Sequence, residues 1–382
     1  SPAVIEAVLQ GAAPATPKDL RLAAWIARDD ALLDLLQDAP PTIGLDTEFM
    51  RVDTYLPRLA LVQIELDGRI ALIDPVAGID PAPFAALLAE PSRTCVMHSA
   101  SEDLEAFATW SCAIAHLFDT QIAASFAGIG AGIGYQKLVR ELLGIEVAKA
   151  ETRSDWLRRP LSAEQLDYAA QDVAHLPALQ AGLAARVATR GYAAWLAEDC
   201  ARLLERARDR EPDAEPQLAL RGAADWPRER QALLRRVLRW RDATARAIDR
   251  PRPWLLDDAH ALDLVARVPN DIGELAERTK GQRALRAAQR PDLLATLAAP
   301  LAPVELDFAP IAHAPGPREK QVISAMKTVI AARAAELDVP EGLLCARRHL
   351  ESLLASRCWP SALEGWRRGV LHDALLAMLP DA

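Results

Sequence analysis

The sequence predicts a mixed α/β domain, a sheet flanked by helices, followed by two all-helical domains. Strand patterns are confined to the first hundred residues, where they alternate with helical ones. Beyond about residue 190 the strand signals vanish. Two later helical stretches share spaced motifs at an offset near 90 residues. At 382 residues the chain exceeds one ordinary compact domain, so two or three are expected. Boundaries fall at 1–207 for the α/β domain, 208–300 for the first helical domain and 301–382 for the second.

Residues 18–38 place Leu20, Leu22, Trp25, Ile26, Leu32 and Leu35 at helical spacing and read as a helix. Residues 42–49 read as a strand. Residues 59–66 and 69–73 are apolar runs joined by Asp67-Gly68, a hairpin signal. Residues 94–98 form a fourth strand candidate. Helical patterns follow at about 101–110, 119–126, 135–143 and 162–187. Alternation of this kind predicts a sheet covered by helices.

Residues 211–216 and 299–317 read as linkers; the second holds five prolines and a glycine. Between them, 226–300 reads as short helices broken by Pro251, Pro253 and Pro269, and 318–380 is helical again. Arg228-Glu229-Arg230-Gln231 answers Arg318-Glu319-Lys320-Gln321, and Leu255 answers Leu344. Ala245-Arg246-Ala247 before Pro251 answers Ala332-Arg333-Ala334 before Pro340. This is the signature of a duplicated helical domain.

Apolar residues at 51 % and charged residues at 25 % describe a globular chain rather than a disordered one. No run of 18 or more apolar residues offers a membrane span. The first residues lack the basic start and long apolar core of a secretory signal. The five cysteines are scattered without a CxxC pair, which disfavours zinc fingers and a disulfide framework. A cytoplasmic location is expected. The net charge is −9, distributed as −10 over residues 1–210, +2 over 211–300 and −1 over 301–382. That excludes a uniformly basic nucleic-acid-coating protein. Concentrated acidity suits either a solvated surface or carboxylates that metal ions neutralise.

In Ile43-Gly44-Leu45-Asp46-Thr47-Glu48-Phe49, Asp46 and Glu48 point to the same face of one strand. Such neighbouring charges repel unless something positive lies between them. Residues 96–107 run from a strand into a helix. Ser99 and Glu102 have capping-box spacing there, and Asp103 falls in the first turn. Ser162 and Gln165 form a second capping box, and on that helix Tyr168 and Asp172, four apart, share a face. A Tyr hydroxyl beside a carboxylate can orient or deprotonate a water. Four carboxylates of hard oxygen suit Mg²⁺ or Mn²⁺ rather than zinc. Two such ions about 4 Å apart can clamp a phosphodiester.

Asp46-Thr47-Glu48-Phe49, the Ser101-Glu102-Asp103-Leu104-Glu105 run and Tyr168-Ala169-Ala170-Gln171-Asp172 resemble the three exonuclease motifs of the DEDD superfamily. The Tyr-x-x-x-Asp third motif resembles the DEDDy branch. Residues 118–121, 134–139 and 149–161 extend the likeness to the bacterial ribonuclease D family over roughly residues 20–205. The helical repeats resemble HRDC domains, residues 234–258 closely and the second copy more loosely. The resemblance implies a ribonuclease-H-like exonuclease fold that hydrolyses RNA from 3′ ends and releases nucleoside 5′-monophosphates. It implies tRNA precursors and other small structured RNAs as substrates, and a monomer. Asp46, Glu48, Asp103 and Asp172 would hold two divalent ions, and Tyr168 would position the water.

Gly128 to Gly134 is glycine-rich but lacks GxGxxG spacing and reads as a loop. Lys149, Arg153, Arg158 and Arg159 are candidate phosphate contacts. Thr47, Phe49 and Met50 adjoin the carboxylates and are candidate contacts to the terminal nucleotide, with Phe49 equally suited to the core. His98 reads as a structural hydrogen-bonder. Arg235, Arg236, Arg239, Arg241 and Arg246 could grip an RNA backbone. A 3′→5′ DNA exonuclease and a non-catalytic RNA-binding protein are the alternatives.

Overall fold

The computed structural model describes residues 23–147, 154–209 and 211–380. These fall into two compact units. One comprises the residues up to 50, 57–209 and 321 onward; the other comprises 51–56 and 211–320.

The first unit is built on a six-stranded mixed sheet. Its strands are β1 (Ala24–Ile26), β2 (Thr42–Met50), β3 (Arg58–Leu66), β4 (Arg69–Ile73), β5 (Thr94–Met97) and β6 (Leu117–Asp119). The spatial order is β1-β4-β3-β2-β5-β6. β3 runs antiparallel to both β2 and β4, while β1, β5 and β6 pair in parallel. The predicted hairpin at Asp67-Gly68 is present, with Asp67 at φ 51° and Gly68 at φ 89°, the left-handed pair that a tight hairpin turn needs.

The helices of this unit begin with α1 (Asp29–Leu36), α2 (Ala82–Leu88), α3 (Ser101–Thr109) and α4 (Thr120–Phe126). They continue with α5 (Tyr135–Leu143), α6 (Ala163–Ala174), α7 (Leu176–Thr189) and α8 (Ala193–Arg208). The helix expected over 18–38 is corrected. Its described part is strand β1 followed by α1, because Trp25 and Ile26 pair with Leu72 and Ile73 of β4. Pairing in a sheet overrides a weak helical period. The helix expected over 162–187 is two helices, since Pro177 has no N–H to continue the first.

The second unit contains α9 (Arg228–Ala247), α10 (Arg252–Leu255), α11 (Asp258–Ala266), α12 (Ile272–Arg278) and α13 (Arg290–Ala298). Its core holds Leu234, Val237, Leu238, Leu255, Leu264 and Leu275. α9 is one helix of 20 residues, not a run of short ones, because the prolines lie beyond its end. Four of its predicted RNA-gripping arginines have protein partners. Arg235 pairs with Glu215, Arg236 with Glu305 and the carbonyls of Thr296, Ala299 and Pro300, Arg241 with Asp258, and Arg246 with Asp242. Arg239 is exposed.

The remaining helices are α14 (Pro317–Leu337), α15 (Glu341–Leu344), α16 (Arg347–Ser356) and α17 (Trp366–Leu376). From residue 321 they share the first unit's core. Trp366 stacks on Trp195 of α8 at 4.5 Å and 11°, and Trp195 stacks on Tyr192. Arg367 reaches both oxygens of the buried Asp199 at 2.5 and 2.8 Å, and Trp366 Nε1 donates to the same carboxylate. No helix of the described residues is long and apolar enough to cross a membrane.

Candidate active site

β2 lies at the middle of the sheet, between β3 and β5. Its two-residue period puts Asp46 and Glu48 on the face where Leu61, Leu72 and Ala169 of α6 pack together. Thr47 faces the other way, towards α3. The register slips between Glu48, opposite Leu61, and Phe49, opposite Leu59. Such a bulge re-aims side chains beside a site. Gly44 lets helix α7 approach, since a Cβ there would meet Leu176 and Glu65 at 3.2 Å.

Asp103 is held by a different device from the one expected. The capping box at Ser99 and Glu102 does not form; Ala100 is the N-cap and makes no side-chain bond. Ser99 instead sits at φ 59°. The backbone N–H groups of Ser99 and Ala100 donate to Asp119 at 3.3 and 2.9 Å. Asp119 also accepts from Gln121 and Ile122, capping α4. One buried carboxylate thus ties the turn after β5 to the start of α4. Asp103, buried in the first turn of α3, accepts the Thr47 hydroxyl at 2.5 Å.

α6 opens with the predicted capping box between Ser162 and Gln165. One turn in, Tyr168 and Asp172 lie four residues apart on one face of the helix and shift each other's titration. The helix end is fastened by Tyr135, a residue the sequence reading gave no role. Its hydroxyl donates to the Gln171 carbonyl at 2.8 Å and accepts the His175 N–H at 3.3 Å. His98 stands edge-on to the Tyr135 ring at 5.8 Å and bonds Thr120 through Nδ1.

Asp46, Glu48, Asp103 and Asp172 form one electrostatic group. Burial raises Asp46 well above the carboxylate range, and Asp103, Asp172 and Glu48 raise it further. Glu48 is pushed to about 8 by burial, then by Asp172 and Asp103. Asp172 moves to about 7 by burial, against the lowering influence of the Tyr168 hydroxyl. Asp103 moves to about 6 by burial, against the Thr47 hydroxyl. Asp46, Glu48 and Asp172 retain some solvent exposure while the surrounding protein still desolvates them, as in a cleft open on one side. Among the described residues no basic side chain offsets the four. No three such side chains among the described residues are grouped so that they could hold a metal ion. The carboxylates nevertheless raise one another's titration.

The other predicted contacts divide. Thr47 is buried and engaged with Asp103. Phe49 packs against the main core, and Met50 against the cluster of Trp156, Leu161 and Ala169 that Tyr168 also joins. Lys149 and Arg153 lie outside the described residues. Arg158 is exposed. Arg159 is committed to the protein, bonding Asp74 through two nitrogens and the carbonyls of Trp156 and Ala60.

The family described as 3′-5′ exonuclease matches residues 24–188, which include the whole sheet and all five candidate residues. The first unit therefore carries a 3′-5′ exonuclease domain. Over almost its full length the chain is 44 % identical to ribonuclease D of Xanthomonas oryzae pv. oryzae, covering 93 % of this chain and 98 % of the relative. It is 32 % identical to ribonuclease D of Escherichia coli K12, with the same coverage. The crystal structure of Escherichia coli RNase D, described as an exoribonuclease involved in structured RNA processing, matches with a TM-score of 0.83 at 29 % identity, covering 94 % and 98 %. The chain belongs to the ribonuclease D family and is a 3′-5′ exoribonuclease.

Proposed function

We propose that the chain trims the 3′ ends of tRNA precursors and other small structured RNAs in the cytoplasm, as a monomer, releasing nucleoside 5′-monophosphates. The observation that supports this is four largely buried carboxylates that raise one another's titration with no protein cation among the described residues to neutralise them. An all-oxygen set of that charge fits divalent Mg²⁺ or Mn²⁺. Asp46, Glu48, Asp103 and Asp172 would hold two such ions, which when bound activate a water and stabilise the leaving 3′-oxygen.

The chain's own groups prepare that chemistry. Burial and the adjacent carboxylates raise the Tyr168 phenol far above its usual range, so it stays protonated. It can orient a water but cannot deprotonate one. Asp172, four residues on along α6, helps keep it protonated. The Thr47 hydroxyl fixes Asp103. In the helical regions we read 208–300 and 301–382 as paired HRDC-type domains. Each has a long helix, then a one-turn helix capped by Pro251 or Pro340 and ending on a fully buried Leu255 or Leu344.

The test is digestion of a 3′-end-labelled tRNA precursor with Mg²⁺, beside a DNA strand of matched sequence. Mononucleotide release from the labelled RNA end is expected. Cleavage of DNA at equal rate would favour the DNA exonuclease, and tight RNA binding without hydrolysis would favour the non-catalytic reading.

A further inference from the structure

Gln63 of β3 lies directly opposite Asp46 of β2. Facing residues of adjacent strands share one side of the sheet and are nearest neighbours there. Gln63 is 0 % exposed, and neither its Nε2 nor its Oε1 has a hydrogen-bond partner. A buried amide left unpaired destabilises a fold, and an apolar residue of the same shape would not. The other side chains nearest to it on that face are Leu61 and Leu72, which are apolar, and Glu65, whose Oε1 already accepts the Gly68 N–H of the hairpin turn. The Asp46 carboxylate has lone pairs for such a donor.

We infer that Gln63 is a positioning residue for Asp46, its carboxamide N–H donating to that carboxylate when the carboxylate holds a metal ion. The inference rests on the proposed metal role of Asp46. A metal-binding carboxylate turns some lone pairs to the ion and others to the protein. A donor behind it fixes its orientation and favours its ionised form. Outer partners of this kind are worth 10- to 100-fold in metal affinity. Gln63 is therefore unpaired for a reason: its partner becomes fully available only in the loaded site.

The experiment uses the full chain without RNA, titrated with Mg²⁺ and followed by thermal shift and calorimetry. Gln63→Met keeps length and volume but removes the donor. Its metal-free melting point should equal or exceed that of the wild type, while its half-saturating Mg²⁺ rises at least tenfold. In an Asp46→Asn background the same substitution should change Mg²⁺ binding no further. Unchanged half-saturation in Gln63→Met overturns the inference. So does a metal-free loss of stability with unchanged Mg²⁺ binding, which would assign the amide to Glu65. Should Gln63→Met fail to fold, Gln63→Leu carries the same two outcomes. A wild type that shows no Mg²⁺ binding sinks the metal reading itself, a result distinct from either.

Discussion

Metal-free protein should become less stable as pH rises through neutrality. The site carboxylates have folded-state values above their unfolded ones, with Glu48 at about 8 against 4.5. The folded state then binds more protons than the unfolded state between those values, so stability is full below the lower and lost as pH climbs through the upper. Over pH 5.5 to 8, at 1.36 kcal/mol per unit, Glu48 alone contributes a loss of about 3 kcal/mol. For a unit of this size that is roughly 6–12 °C in melting point. Differential scanning calorimetry in EDTA at pH 5.5 and 8.0 measures it. Glu48→Gln cannot ionise and should melt above the wild type at pH 8 but not at pH 5.5. Saturating Mg²⁺ should erase most of the wild-type pH dependence. A metal-free melting point that rises with pH, or a Glu48→Gln slope equal to the wild type's, refutes the argument that the carboxylates repel one another unshielded.

Mg²⁺ binding at pH 7 should release protons, because Asp172 and Glu48 titrate at about 7 and 8 in the metal-free site. Calorimetric enthalpies that differ between buffers of different ionisation heat would show it. Asp46→Ala and Asp172→Asn should each abolish 3′-end trimming while circular dichroism stays unchanged. Tyr168→Phe should lower turnover on the order of 100-fold, with Mg²⁺-induced thermal stabilisation intact. Asp199→Ala strands Arg367 and Trp366 Nε1 in a buried contact. It should cost about 3–5 kcal/mol in urea denaturation of the first unit, against a smaller loss in Asp199→Asn.

The parts of the fold that could be read locally are those with a long period or a distinct turn. β2 and β3 are nine residues each, β4 runs apolar over Ile70–Ile73, and Asp67-Gly68 marks the hairpin between β3 and β4. β1 and β6 are three residues each and carry no period at all. They exist because β4 and β5 offer open edges, a cause that lies elsewhere in the chain. α8 is legible in the sequence as well: Leu196, Cys200, Leu203 and Leu204 form a helical stripe, all buried. Pro177 likewise marks the break between α6 and α7.

The candidate site shows the same division. Asp46 and Glu48 were placed on one face by backbone geometry alone, and Tyr168 with Asp172 by helix pitch; no tertiary information was needed. Arginine partners were not legible, because Arg159 and Arg236 bond carbonyl oxygens, which every residue carries and no side-chain code announces. Ser99 shows how a local rule loses to a distant group. Its spacing to Glu102 fits a capping box, but the Asp119 carboxylate, twenty residues on, takes its N–H instead and also that of Ala100. A buried anion can satisfy several donors at once, whereas Ser99 as N-cap could satisfy one or two. The turn that presents Asp103 therefore depends on Asp119. Placement of the active carboxylate is set by a residue that need never touch the substrate.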